Sequence, residues 1–235
     1  MNCSVDLGGS ELLTLHGAVL VYRSRSGRRA FAAWHPAHLE PDGAPSLGAG
    51  EPLTTAFLRR LADGLGSQLR PEILPENVLV RTPDRLVWWV PAQQRVMFFP
   101  DADPKLAQLS GKRFPHPALV FKVSGRQLSI RALVRDRRPG ESTMLKTAPY
   151  LNVNEASVCC QGSMRSPEGT SVDTIAGWES AFFQSEFTHV YGAVRLTSHR
   201  GGFVGLWTSL AGKQQFSTQF LTDARETLRS FAERE

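Results

Sequence analysis

Two residues eight positions apart, Asn152 and Cys160, carry the pattern with the clearest chemical use. A cysteine acts as a nucleophile through its thiolate, so it needs partial exposure and surroundings that favour the charged form. A nearby Asn side-chain amide can donate a hydrogen bond to the oxyanion that forms when a thiolate attacks a thioester carbonyl. Together the two suit acyl transfer through a cysteine thioester. Cys159 directly precedes Cys160, and both thiols stand as candidate nucleophiles. Bland readings stand beside these. Free cysteine is among the most buried residue types, so the pair also fits a core. Asn152 can close a turn through its own backbone. His189 ends an expected helix, where it can favour a thiolate, activate an amine, or simply cap free carbonyls.

Other chemistries lack their residues. A zinc site from Cys159, Cys160, His189 and His199 has no spacer between its cysteines, unlike structural zinc sites. No Gly-rich phosphate loop, H-E-x-x-H or G-x-S-x-G is present, so neither cofactor nor metal is expected, and any ATP chemistry belongs to a partner. The three cysteines, Cys3, Cys159 and Cys160, form a poor disulfide framework and fit a reducing compartment. The start of the chain shows no basic region followed by an apolar one, and no apolar run approaches the ~18 residues that span a bilayer. A cytoplasmic protein without a membrane partner is expected. The net charge of +5 is too small to point to nucleic acid. The four arginines within 23–29 read as a solvated turn.

The elements that must position Asn152 and the cysteines follow from periodicity. Residues 12–22 and 30–34 are apolar, β-branched runs around the basic turn, which predicts an N-terminal hairpin. A Gly- and Pro-rich loop over 41–52 follows. Residues 54–65 place Phe57, Leu58, Leu61 and Leu65 on one face, predicting a core-packing helix capped by Thr54 or Thr55. Short apolar runs at 78–80, 85–90, 95–99, 119–123 and 127–134 predict an antiparallel meander, because their connections are too short for parallel crossovers. Trp88 and Trp89 must then face opposite sides of their strand. Residues 139–169 show no clear period. Helices are predicted over 171–186 and 218–232, with Ser217 as N-cap of the second and a flexible connection at Gly201, Gly202 and Gly205. This order is α+β, with expected domains at 1–50 (hairpin extension and loop) and 51–235.

The stretch YLNVNEASVCCQG at 150–162 resembles the active-site flap of ubiquitin-conjugating enzymes. That flap runs His-Pro-Asn, then Val or Ile, several turn residues, an aliphatic residue and Cys. The phrases LVWWVP (86–91), RVMFF (95–99), APYLNV (148–153), VCCQG (158–162) and AFFQSEFTH (181–189) are similar to the PRTRC system protein B family. That plasmid-borne bacterial family is assigned to the same superfamily, and the similarity covers most of the chain up to His189. The resemblance implies a UBC-like fold: a helix, an antiparallel β-meander, then helices. It also implies two partners, a ThiF-like activating enzyme and a small β-grasp protein passed between cysteines as a thioester. On the ungapped spacing from Asn152, Cys160 is the implied nucleophile and Cys159 the alternative. Asn152 is the implied oxyanion donor, with Tyr150 and His189 in support. Three positions depart from the flap pattern: Tyr150 and Leu151 replace His-Pro, Ser157 replaces the turn Gly, and Cys159 replaces the aliphatic residue. A non-catalytic UBC-like binding module is the rival expectation, since fold does not fix function.

Overall fold

The computed structural model describes residues 4–5, 13–25, 30–41, 44–64, 73–100, 103–188 and 195–234. The chain forms two compact units, Met1–Pro71 and Glu72–Glu235. In the first, β1 (Ser4–Val5) pairs with β2 (Leu13–Thr14), and β3 (Gly17–Arg23) forms the expected hairpin with β4 (Ala30–Leu39). Two short strands, β5 (Pro45–Leu47) and β6 (Glu51–Pro52), also pair with β4, inside the stretch expected to be loop. The helix α1 (Thr55–Gly64) starts where Thr54 Oγ1 accepts a bond from Phe57 N at 3.1 Å. It is not the core-packing helix expected. None of its residues is buried, Leu58 and Leu61 are exposed, and Phe57 rests on Trp34 with ring centroids 5.0 Å apart. Leu65 lies outside the described residues.

The second unit is built on a six-stranded antiparallel sheet. Its strands are β7 (Val78–Thr82), β8 (Arg85–Val90), β11 (Leu119–Ser124), β12 (Gln127–Ala132), β13 (Met144–Thr147) and β14 (Asp223–Thr227). They lie in the order β14-β13-β12-β11-β8-β7. Gly125 makes the tight β11–β12 turn possible, at φ +57° where a side chain is strained. The expected meander is interrupted. β9 (Gln93–Val96) leaves the sheet and pairs with β10 (Arg113–His116), with the short helix α2 (Pro104–Ala107) between them. Strand β11 therefore takes the place beside β8. The run around Pro115 gave no strand signal, because proline cannot donate to a ladder.

Each face of this sheet has its own core. On one face Trp88, Phe121 and Tyr150 pack in one core with Trp178 and Phe182 of α3 (Ile175–Phe183) and Trp207 of α4 (Gly202–Leu210). The Trp88 and Phe121 rings stack at 5.2 Å, and the Trp88 indole N–H reaches Glu179 Oε1 of α3 at 3.2 Å. On the other face Val87, Val120, Leu145 and Phe231 pack with α5 (Leu228–Glu233), and Trp89 lies against them. The opposite facing of the two tryptophans is thus observed. Helices on the faces of an antiparallel sheet give the α+β class read from the sequence. Among the described residues no helix is long and apolar enough to cross a membrane.

Two expectations for the C-terminal third are corrected. Residues 218–232 are not one helix. A 3-10 turn (Thr218–Phe220) leads into β14 and then α5, which Thr227 and Ser230 start with a reciprocal capping box. Leu221 belongs to the first core, whereas Leu228 and Phe231 belong to the second. A straight helix cannot serve both faces of one sheet, so the chain crosses its edge as a strand. Gly201 and Gly202 do not mark a flexible connection but the start of α4, where Gly202 takes φ +61°. Gly205 lies within that helix, and a Cβ there would come within 3.0 Å of the His199 ring.

This packing makes a quantitative expectation. Phe121→Ala should lower the unfolding free energy by about 3–5 kcal/mol. Val134→Ala, at an exposed position, should change it by under about 0.5 kcal/mol. Urea denaturation of both variants checks the contrast.

Candidate active site

The stretch from Ala148 onward enters the core before it reaches the surface. Trp207 Nε1 donates to Pro149 O at 3.0 Å, and Tyr150 is fully buried among Phe182, Phe187 and Trp207. Its hydroxyl lies 2.8 Å from His116 Nδ1, with the two rings stacked. Burial pushes the His116 pKa down to about 3 and the Tyr150 phenol well above its ordinary value. The two therefore form a neutral buried pair that anchors the loop from beneath, and Tyr150 does not line the cleft.

From Asn152 the chain makes a tight hairpin. Cys160 N donates to Asn152 O at 2.8 Å, Val153 bridges Cys159 in antiparallel fashion, and Asn154 N donates to Val158 O at 3.0 Å. The Asn154 side chain accepts from Val158 N at 2.9 Å, closing the turn. Ser157 takes φ +70°, a left-handed conformation that explains why glycine suits this place in the resembling flap. Cys159 N donates to Leu128 O and Ile130 N to Ser157 O, which seats the hairpin on the end of β12 that β13 leaves unpaired.

Extended backbone points successive side chains to opposite sides, and this separates the two thiols. Cys159 is 3% exposed and part of the core, where burial first and its neighbour Cys160 second raise its pKa well above the ordinary range. Cys160 is partly buried and lines a cleft of about 110 Å³ with Asn152, Gly162, Ser163, Ser185, Glu186 and Thr188. Asn152 is 8% exposed, and its Nδ2 donates to Ser185 Oγ at 3.2 Å. The Ser185 hydroxyl proton is already given to Phe182 O at 2.7 Å, so its oxygen accepts and the Asn152 NH2 group must face it. One N–H of that amide remains to donate, while Oδ1 is buried without a partner.

The structure thus gathers Asn152 and Cys160 in one cleft and assigns Cys159 and Tyr150 to the core beneath. His189 lies outside the described residues. Ser163, Ser185, Glu186 and Thr188 were not singled out by sequence reasoning. Three of them sit in the phrase at 181–189 that carried part of the resemblance, so the signal was present but gave these polar positions no role.

A model of prokaryotic E2 family D matches residues 57–224, more than half of the chain. The chain belongs to prokaryotic E2 family D. The match covers the meander, the cysteine hairpin, α3 and α4, so this E2-like chain has its cleft inside the shared region. No curated protein and no solved structure matches it significantly.

Two outcomes follow from the burial. Iodoacetamide at pH 8, read by fragment-resolved peptide mapping, should label Cys160 at least ~10-fold faster than Cys159 in the folded chain. Equal labelling would contradict the division. Because His116 binds its proton only near pH 3 when folded but near 6.5 when unfolded, stability should be fullest above pH 6.5. It should fall as the pH drops toward 3, by up to about 1.4 kcal/mol per unit. Urea denaturation at pH 7 and pH 5 should show that slope in the wild type and a shallower one in His116→Gln.

Proposed function

We propose that this E2-like chain is a carrier that holds a small β-grasp protein on Cys160 as a thioester. A ThiF-like activating enzyme supplies it, and an acceptor receives it. Within prokaryotic E2 family D we assign it to the PRTRC system protein B group, on the phrases at 86–91, 95–99, 148–153, 158–162 and 181–189. One observation carries the reading: a partly exposed thiol and an oriented amide share one cleft.

The chemistry follows from those groups. The Cys160 thiolate attacks the thioester carbonyl on the activating enzyme, and the electron pair of the carbonyl becomes an oxyanion. The remaining N–H of Asn152 donates to that oxyanion, and the activating enzyme's thiolate leaves as the new thioester forms. Discharge repeats these steps with an acceptor nucleophile attacking and the Cys160 thiolate leaving. Ser185 keeps the amide nitrogen turned the right way, and Tyr150 with His116 supports the loop. His189 is a supporting residue in this scheme. ATP is consumed on the partner. The alternative is a non-catalytic UBC-like scaffold that binds these partners, or other proteins of a plasmid-encoded PRTRC cassette, without forming a thioester.

The test is a charging assay with the activating enzyme, the β-grasp protein and ATP, read on non-reducing gels. The wild type and Cys159→Ser should each form a thiol-sensitive adduct, and Cys160→Ser should form none. No adduct with any of the three, despite a charged activating enzyme, would favour the scaffold.

A further inference from the structure

The turn between Asn152 and Cys160 is held from outside the loop by two guanidinium groups. Arg234 Nη2 donates to Ala156 O at 2.7 Å and to Ser157 Oγ at 2.7 Å. Arg131 Nη2 donates to Glu155 O at 3.0 Å. Both arginines pair with Glu226, Arg131 through Nε and Arg234 through Nη1 at 3.4 Å. Arg234 is itself fixed in place. It directly follows α5, and Lys122 Nζ of β11 donates to Phe231 O at 2.9 Å and to Arg234 O at 2.8 Å. A continuous set of charge-assisted bonds therefore runs from the sheet, through the end of α5, to the turn.

Ser157 makes this arrangement more than packing. It is fully buried and left-handed, a conformation that any residue with a Cβ resists and glycine accepts freely. Its side chain has a use that glycine could not supply, since the hydroxyl gives Arg234 an acceptor. The strain and the bond offset each other at one residue. That residue lies three positions before Cys160, inside the hairpin that sets Cys160 N against Asn152 O.

We propose that Arg234 is a positioning residue of the Cys160 site, holding Ser157 left-handed so that the hairpin keeps Asn152 and Cys160 in register. Transfer through Cys160 rests on the function proposed above, but the effect on the hairpin does not, and the test reads both. Arg234→Ala, Ser157→Gly and the double variant would be made in the full chain. The first readout is the iodoacetamide labelling of Cys159, which needs no partner protein. Arg234→Ala should open the hairpin and raise Cys159 labelling about 10-fold, the scale of one lost hydrogen bond to a charged group. Ser157→Gly alone should leave labelling unchanged. The double variant should return toward the wild type, because glycine holds the turn without the arginine. The second readout is discharge of a charged chain, in which kcat should fall about 10-fold for Arg234→Ala while KM for the acceptor stays constant. Wild-type protection of Cys159 in Arg234→Ala would overturn the proposal. So would a double variant as labile as Arg234→Ala, since a bond that merely steadies α5 is not rescued at Ser157. Changed labelling without any charging in the wild type would sink the carrier reading and leave the positioning role standing.

Discussion

The hydrogen bond from Cys160 N to Asn152 O, 2.8 Å long, turns two residues eight positions apart into one site. It closes a hairpin, and the hairpin imposes alternation on the two cysteines. One thiol must face the core and the other the cleft. Burial then decides their chemistry, because Cys159 loses the solvation a thiolate needs and Cys160 keeps part of it. Shifting the register of this hairpin by one residue would exchange the thiols, which is why its fastening to β12 matters.

That fastening depends on the sheet. β12 pairs with β13 at Arg131 and Ala132, whereas its Leu128–Ile130 end bonds to the cysteine hairpin. The site therefore rests on a strand shared between regular sheet and loop. From the first core, Tyr150 and His116 hold the entry to the hairpin, and α3 delivers Ser185 to Asn152. From the second core, α5 delivers Arg234 to the turn. The two cores on opposite faces of the sheet thus converge on thirteen residues from Tyr150 to Gly162.

The parts legible in the sequence were those with local causes. Alternation at Trp88 and Trp89, the turn at Gly125 and the helical stripe around Trp178 all act over a few residues, and each gave its element. The Asn152-to-Cys160 spacing was legible because a short hairpin fixes it. What failed had long-range causes. The stretch 218–232 has a helical stripe, yet Leu221 and Phe231 serve opposite faces of the sheet, and periodicity within a stretch does not say which face of a distant sheet each residue meets. The glycines at 201–205 are the exception with a local cause: glycine marks loops and helix starts alike, and here Gly201 caps α4 while Gly205 lies against the neighbouring His199 ring. Ser185 and Arg234 reach the hairpin from 33 and 77 residues away, where no spacing rule applies.

Transfer through this site requires Asn152 and Cys160 to act together, and single-turnover discharge by Asn152→Ala tests this most directly. A chain charged on Cys160 would be mixed with a small nucleophile, while iodoacetamide labelling of the uncharged chain monitors the hairpin. Discharge should be slowed about 100-fold, the usual effect of losing one oxyanion donor, with Cys159 still protected. Discharge at the wild-type rate by a folded Asn152→Ala chain would contradict that requirement.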